Sequence, residues 1–364
     1  MRILEMCSVQ WYNADAAYAF GFAQSMINRG HEVFFLSFPG SPGIQKASQA
    51  HMKIVNGINF KTFNPFRLLL SFIRFIRFIK ESNIEIINAH RSEDHFFAGI
   101  AVRFITPHIR LLRTRGDRRF IKNSRINKIL YEKWTYRHIA ASNLLLVRGY
   151  YNWLDIKQDR LFVVYPGIAD IGKEISRKQA REKLRIPADI KMILFIGRFD
   201  AVKGLDYLVS ACHAVHKEIG AHLYILGRDE AITREDITAF HGYNDSWVTV
   251  INKSTDTALY SAAADIGVIA SIGSEVIARV CIEFMCCSLP VVATKVGVLP
   301  EIVEHGKTGM LVSPKDSLEM SEAIISMLGN KNSLEAMARN ARDYYEKFYT
   351  LECVGQKLES IYSE

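Results

Sequence analysis

Short apolar runs alternate with helix-length segments, and the alternation starts twice along the chain. Residues 3–9, 33–36, 84–90, 144–147 and 161–165 read as strands, with helices over 16–28 and 66–80 between them. A turn at Pro166-Gly167 marks a domain boundary, and the pattern then restarts. Strands over 192–196, 222–226, 248–251, 266–269 and 290–294 alternate with helices over 205–215, 257–264 and 278–287, and long helical patterns cover 318–328 and 334–348. Alternation of this kind in both halves implies parallel sheets, each covered by helices on both faces. A chain of 364 residues is also longer than one core usually serves. The expected fold is therefore α/β, with two doubly wound Rossmann-like domains, residues 1–166 and 167–364, facing a cleft. Sheets of this type bind ligands beyond the carboxyl ends of their strands.

The net charge of +8, from 46 Lys+Arg against 38 Asp+Glu, favours anionic partners. Much of the surplus lies between residues 110 and 128, where Arg110, Arg113, Arg115, Arg118, Arg119, Lys122, Arg125 and Lys128 face Asp117 alone. Aromatic residues are not interleaved through that run and no nucleic-acid motif is visible, so nucleic acid is not an expected partner. The six cysteines include no C-x-x-C pair and read as reduced, buried thiols rather than a disulfide framework or zinc site. The first apolar run is short and broken by Glu5, unlike a signal peptide, and no apolar stretch reaches 18 residues. A cytoplasmic protein is expected. Helix 66–80 has two readings. Arg67, Ser71, Arg74 and Arg77 form a narrow polar stripe, which suits either a helix covering a parallel sheet or one lying in a membrane interface.

The chemistry concentrates in residues 271–309. Glu275 and Glu283 are separated by seven residues. With Glu275 just before a helix and Glu283 two turns along it, they sit about 12 Å apart, the scale of a nucleoside diphosphate sugar. One carboxylate would meet sugar hydroxyls and the other ribose hydroxyls, while the helix N-terminus offers free N–H groups to phosphate oxygens. Upstream, Arg198 and Lys203 follow a strand in the segment Gly197-Arg198-Phe199-Asp200-Ala201-Val202-Lys203-Gly204, where two cations can neutralise a diphosphate as it leaves.

Taken in order, Ser271, Glu275, Glu283, Pro290-Val291-Val292-Ala293-Thr294, Val296-Gly297, Pro300-Glu301 and Gly306, Thr308, Gly309 resemble the E-x7-E region of glycosyltransferase family 4. Gly197 to Gly204 looks like that family's G-R-x-x-x-x-K-G segment, and Arg29-Gly30-His31-Glu32-Val33 matches its R-G-H-E-V. The resemblance spans nearly the whole chain. It implies the GT-B fold, with a last helix near 340–364 packing back on the N-terminal domain. It also implies a retaining transferase that takes a nucleotide-sugar donor in its C-terminal half and a glycan or glycolipid acceptor in its N-terminal half, with no cofactor or catalytic metal. Arg198, Lys203, Glu275 and Arg115 are the expected catalytic residues. Glu283, Val276, Ile277, Ala278, Arg279, Gly227, Asn13 and Ala14 would contact the donor, and His90, Arg113 and Arg118 are acceptor-side candidates.

The chain also departs from the family pattern. Asn13-Ala14 stands where a Gly-Gly pair is usual, Arg115 where a histidine is common, and Val276-Ile277-Ala278 where Gly-Phe-Gly is usual. Glu93-Asp94 superficially suggests a metal-binding acidic pair, but no D-x-D follows a strand. The basic segment 110–128 would meet phosphate or carboxylate groups on an acceptor, or an anionic membrane surface at the periphery. Two rival functions fit the same fold: a non-catalytic sugar-nucleotide-binding regulator, and a sugar-nucleotide epimerase.

Overall fold

In a computed structural model, residues 1–363 are described apart from 117–118, 151–152, 173–174, 230, 253–255 and 274, and apart from the side chains of 148–149 and 228–229. The chain forms two compact units. Met1–Ala169 with Tyr349–Glu364 makes the first, and Asp170–Phe348 the second.

The first unit holds a seven-stranded parallel sheet of β1 (Arg2–Cys7), β2 (Glu32–Ser37), β3 (Lys53–Ile54), β4 (Ile86–Ala89), β5 (Arg110–Arg115), β6 (Arg137–Ala140) and β7 (Leu161–Val163), ordered β3-β2-β1-β4-β5-β6-β7. The second holds a six-stranded parallel sheet of β8 (Met192–Phe199), β9 (His222–Asp229), β10 (Val248–Asn252), β11 (Ile266–Ile269), β12 (Val291–Thr294) and β13 (Gly309–Val312), ordered β10-β9-β8-β11-β12-β13. Each sheet reverses its winding beside its first strand, between β1 and β4 and between β8 and β11. Doubly wound sheets open a crevice at that switch point.

Several elements differ from the sequence expectation. Residues 144–147 lie in a helix, Asn143–Tyr150, rather than a strand. Ser142 stands before it, with its hydroxyl accepting from the Leu145 N–H at 3.2 Å. A four-residue apolar run fits either element, and here the capping serine decides. The strand of that region is β6, whose Arg137 and His138 disguise it; His138 is nonetheless fully buried. In the helix Pro65–Glu81 the stripe of Arg67, Ser71, Arg74 and Arg77 does not hold together. Ser71 is buried with Phe75 and Ile79 while the three arginines are exposed. β8 and β9 run past residues 196 and 226, so Arg198 sits inside β8 rather than in the following loop.

The helix Leu351–Ser363 returns to the first unit and packs on the helix Ala14–Asn28. The R-G-H-E-V segment explains why. Arg29 donates to Glu352 at 2.6 Å and also reaches Glu359, and His31 Nε2 lies 2.8 Å from Glu359 Oε1. At the helix's far end, Arg110 and Arg137 donate to the carbonyls of Tyr362 and Ile361, at 2.6 and 2.7 Å. Cations at a helix C-terminus satisfy its unpaired carbonyls and oppose its dipole. Two of the chain's arginines thus anchor a helix and are not spent on a ligand surface.

Beneath that helix lies a buried polar cluster. Glu5, fully buried in β1, accepts hydrogen bonds from Tyr362 Oη (2.9 Å), Asn88 Nδ2 (3.0 Å) and His90 Nε2 (2.9 Å). Removing one partner of a buried carboxylate costs about 1–3 kcal/mol. Tyr362→Phe is therefore expected to lower the thermal midpoint by several degrees, at about 2–4 °C per kcal/mol for a unit of this size. Calorimetry showing an unchanged midpoint would contradict this role for Glu5.

Candidate functional site

The two sequence segments singled out for chemistry meet at the switch point of the second sheet. Lys203 closes the short helical turn Ala201–Lys203 after β8, and Glu275 lies in the loop after β11. The Lys203 ammonium pairs with Glu275 Oε1, and Ser271 Oγ donates to the same oxygen at 2.5 Å. Ser271 is itself held by Thr294 at the end of β12, whose hydroxyl donates to the Ser271 carbonyl at 2.6 Å. The carboxylate is nearly buried, so its position is fixed by three strand ends at once.

Glycines let these loops approach. Gly204 has φ +64°, and a Cβ there would lie 2.2 Å from the Ala270 carbonyl oxygen. Ile272 N–H donates to the Val202 carbonyl at 2.9 Å, which ties the two loops together. Gly297, at φ +60°, would bring a Cβ within 1.8 Å of the Glu275 carbonyl oxygen, while Val298 N–H donates to that oxygen at 2.8 Å. The Val296-Gly297 step therefore grips the backbone of Glu275. Gly227 also has a packing role. It pairs in register with Gly197, and a Cβ would strike the Gly197 carbonyl oxygen at 1.9 Å.

Ala278 caps the helix Arg279–Cys286 and takes φ +45°, a left-handed conformation unusual for a residue with a Cβ. Ile277 and Ala278 are buried, with Val276 half-buried, so this stretch offers backbone rather than side chains. Within the helix's first turn, Cys281 N–H donates to the Ala278 carbonyl at 3.0 Å. Along the helix, Arg279 Nε donates to Glu283 Oε1 at 2.7 Å. Arg198, half exposed at the end of β8, lies 3.8 Å from Asp200 Oδ2. Arg198, Lys203, Glu275, Arg279 and Glu283 all follow or flank β8 and β11, the two strands at the switch point.

The first unit carries a corresponding ion pair. Arg91, after β4, donates to Asp15 Oδ2 at 2.7 Å, beside the helix that follows β1. Neither residue stood out in the sequence; their places after the two switch-point strands were the available signal. Asn13 caps that helix by accepting from the Ala16 N–H at 3.0 Å, and Ala14 is its first residue. Asn13 has φ −104°, so the turn has no need of glycine where Gly-Gly is usual. Trp11 in the same loop is 74% exposed, and sequence reading missed it.

Three acceptor-side expectations are corrected or fall outside the structure. His90 is buried against Glu5 and presents no surface. Arg113 is buried as well, donating to the Ala89 and Thr114 carbonyls at 2.9 and 2.5 Å, because its strand runs beneath the covering helices. Arg118 lies outside the described residues. Arg115 differs: it lines a cavity of about 380 Å³ together with Arg91, Glu93, Phe96, Arg119 and Lys122. Asp94 of the Glu93-Asp94 pair is buried and accepts from the Ser8 N–H at 2.8 Å, so it fastens a loop. Among the described residues, no three His, Cys, Asp or Glu side chains gather as a metal site would require.

Burial pushes the Asp94 carboxyl up to about 6, against about 3.9 in an unfolded chain. The folded state holds this proton more tightly. Its stabilising contribution is complete below about pH 4 and is lost as pH rises through about 6. Asp94→Asn should therefore gain stability relative to the parent between pH 4 and 7, by at most about 3 kcal/mol. Paired urea melts across that range measure the difference, and a flat difference would count against it. At the second switch point, Gly297→Ala should displace the Glu275 loop and reduce ligand-dependent activity by about 100-fold or more, because a misplacement of 1 Å suffices for that. Retention of full activity would show that the Gly297 contact does not position Glu275.

Two family models match the chain. One described as Glycosyltransferase Family 4 covers residues 16–170, and one described as Glycosyl transferases group 1 covers 190–330. An uncharacterized glycosyltransferase of Methanocaldococcus jannaschii is 26% identical over 320 residues, 86% of this chain and 83% of that protein. Several other curated relatives align over only about half of their own length. Among solved structures, a glycosyltransferase of Rickettsia africae superposes with a TM-score of 0.83 at 21% identity, covering 99% of this chain and 97% of that one. Anabaena HepE in complex with UDP also gives 0.83, at 19% identity and 99% coverage of both chains. At such identities the solved structures establish the fold, which is GT-B.

Proposed function

From the premise that the chain belongs to glycosyltransferase family 4 and is a glycosyltransferase, we propose that it transfers a sugar from a nucleoside diphosphate sugar with retention of configuration. The observation that carries this reading is the meeting of Lys203 and Glu275, from the loops after β8 and β11, at the switch point of the second sheet.

In this reading the donor lies across that crevice. Its diphosphate takes up Arg198, Lys203 and the positive end of the helix Arg279–Cys286, and Glu283 accepts from the ribose hydroxyls. Both contacts to Glu275 fall on Oε1, which leaves Oε2 for hydroxyls of the transferred sugar. As the bond from the anomeric carbon to the diphosphate oxygen breaks, negative charge grows on the leaving group, and the two cations stabilise it without a metal ion. The acceptor hydroxyl attacks from the face the diphosphate leaves and gives its proton to the departing oxygen. HepE has been crystallised with UDP and with UDP-glucose, which makes a uridine donor the first to try. In the first unit, the cavity lined by Arg91, Arg115, Arg119 and Lys122 suits a phosphate or carboxylate on a glycan or glycolipid acceptor.

A thermal-shift panel of UDP-glucose, GDP-mannose and ADP-glucose tests the donor. The true donor at 100 times its dissociation constant stabilises by about 2.7 kcal/mol. Lys203→Ala should abolish most of that shift and slow nucleoside diphosphate release by about 100-fold or more, the scale of losing one charge-stabilising donor. A Lys203→Ala protein with the parent's shift and rate would remove the diphosphate from this crevice.

A further inference from the structure

We propose that the outer face of the helix Pro65–Glu81, in the first unit, docks on an anionic lipid bilayer surface. This helix has two apolar stripes. Phe75 and Ile79, with Leu68, Phe72 and Ile76 beside them, face the core and pack with Ala98, Ala101 and Val102 of the neighbouring helix Ser92–Phe104. The second stripe is Phe66, Leu69, Leu70 and Ile73, at the i, i+3, i+4, i+7 spacing of one helix face, and it faces solvent. Phe66 is 67% exposed, Leu69 55% and Ile73 47%; Phe63, just ahead of the helix, is wholly exposed. Single exposed apolar residues are ordinary. A contiguous stripe on a helix whose other side already fills the core marks a surface that something covers.

The charges identify the occupant. Continuing along the same face, Ile73 is followed at i+4 and i+7 by Arg77 and Lys80, and Arg67 and Arg74 flank the stripe. All four are exposed, against Glu81 as the helix's one acid. Apolar side chains at one end of a face and long cations at its other end and border match a helix lying in the interface, with acyl chains below and lipid phosphates around it. A second copy of this chain fits poorly, since the face offers these cations no acid but Glu81 to meet.

The same unit exposes further apolar and basic residues. Phe72 of this helix packs on Phe97 of Ser92–Phe104, with ring centroids 6.0 Å apart, and Phe104 packs on Trp134 at 5.5 Å. Phe104 and Ile126 are both more than half exposed, and the exposed cations Arg103, Arg125 and Lys128 accompany them. Among the described residues no helix is long and apolar enough to cross a membrane, so the contact is one of lying on the surface.

Sedimentation with sucrose-loaded vesicles tests the surface, using phosphatidylcholine alone and a mixture with phosphatidylglycerol. The full-length protein should pellet with the anionic vesicles and stay in solution with the neutral ones. Leu69→Ser with Ile73→Ser, both at exposed positions, should weaken pelleting by about tenfold or more, since each removes apolar surface from the contact. Arg74→Glu with Arg77→Glu should do the same. Unchanged thermal midpoints in both variants confirm that the fold is intact. No pelleting at low salt overturns the proposal. So does pelleting that survives Leu69→Ser with Ile73→Ser, which would reduce the attraction to charge alone, and so does a concentration-dependent dimer in sedimentation velocity that those substitutions abolish. None of these measurements needs a donor or an acceptor, so their outcome is independent of the transferase reading.

Discussion

The second unit depends on a carboxylate fixed where two parallel strands diverge. At a switch point the helices after β8 and β11 leave on opposite faces, and the strand ends stand open. A loose loop there would be costly to order each time a ligand bound. Glu275 is instead fixed by an ammonium from one loop, a serine hydroxyl from its own loop and a glycine turn pressed on its backbone. Each contact constrains a different part of the residue: Lys203 and Ser271 the carboxylate, Gly297 and Val298 the peptide. Rigid placement of this kind lets a partly buried charge act on a ligand without first reorganising.

The first unit solves the same geometric problem with different chemistry. Arg91 and Asp15 span its switch point as Lys203 and Glu275 span the other, with the signs of the two loops unchanged in kind but exchanged in place. There the cation follows the fourth strand and the acid follows the first. Below that pair, Ser8 is tied to buried Asp94, and Glu5 collects Tyr362, Asn88 and His90. The carboxyl edge of this sheet is thus underlaid by polar groups that bond one another. This explains why His90 and Arg113, which look like ligand residues in sequence, are consumed inside.

What could be read from the sequence follows from how local each determinant is. The segment around Glu275 and Glu283 was legible because its order of glycines, serine and threonine encodes close approaches between neighbouring loops. Gly204 and Gly297 each have a backbone oxygen where a Cβ would stand. Five of the second sheet's six strands are nearly continuous apolar runs and were read correctly apart from their ends, while β13, only four residues long behind a glycine turn, was missed. The first unit was harder. β6 carries Arg137 and His138, which look exposed, but burial beneath neighbouring layers drives the His138 pKa down to about 3 and keeps the ring neutral. Periodicity placed Ser71 with three arginines, yet it is buried and accepts from the Asn59 N–H at 3.2 Å. A serine that satisfies a buried backbone donor cannot be told from a solvated one by spacing alone. The same ambiguity hid the outward apolar stripe of that helix, since two apolar stripes blur the periodic signal that one would give.

The departure at Val276-Ile277-Ala278 shows how far a motif tolerates substitution when its work is done by the backbone. A left-handed residue with a Cβ costs about 1–2 kcal/mol relative to the right-handed region. Ala278 bears that cost here, at φ +45°, while Cys281 N–H donates to its carbonyl at 3.0 Å to begin the helix. Ala278 is itself buried, which offsets some of the strain through apolar contact that a glycine could not make. The turn is therefore held by packing where glycine would hold it by conformational freedom. Through that turn the chain enters the helix Arg279–Cys286, where Arg279 Nε donates to Glu283 Oε1 at 2.7 Å.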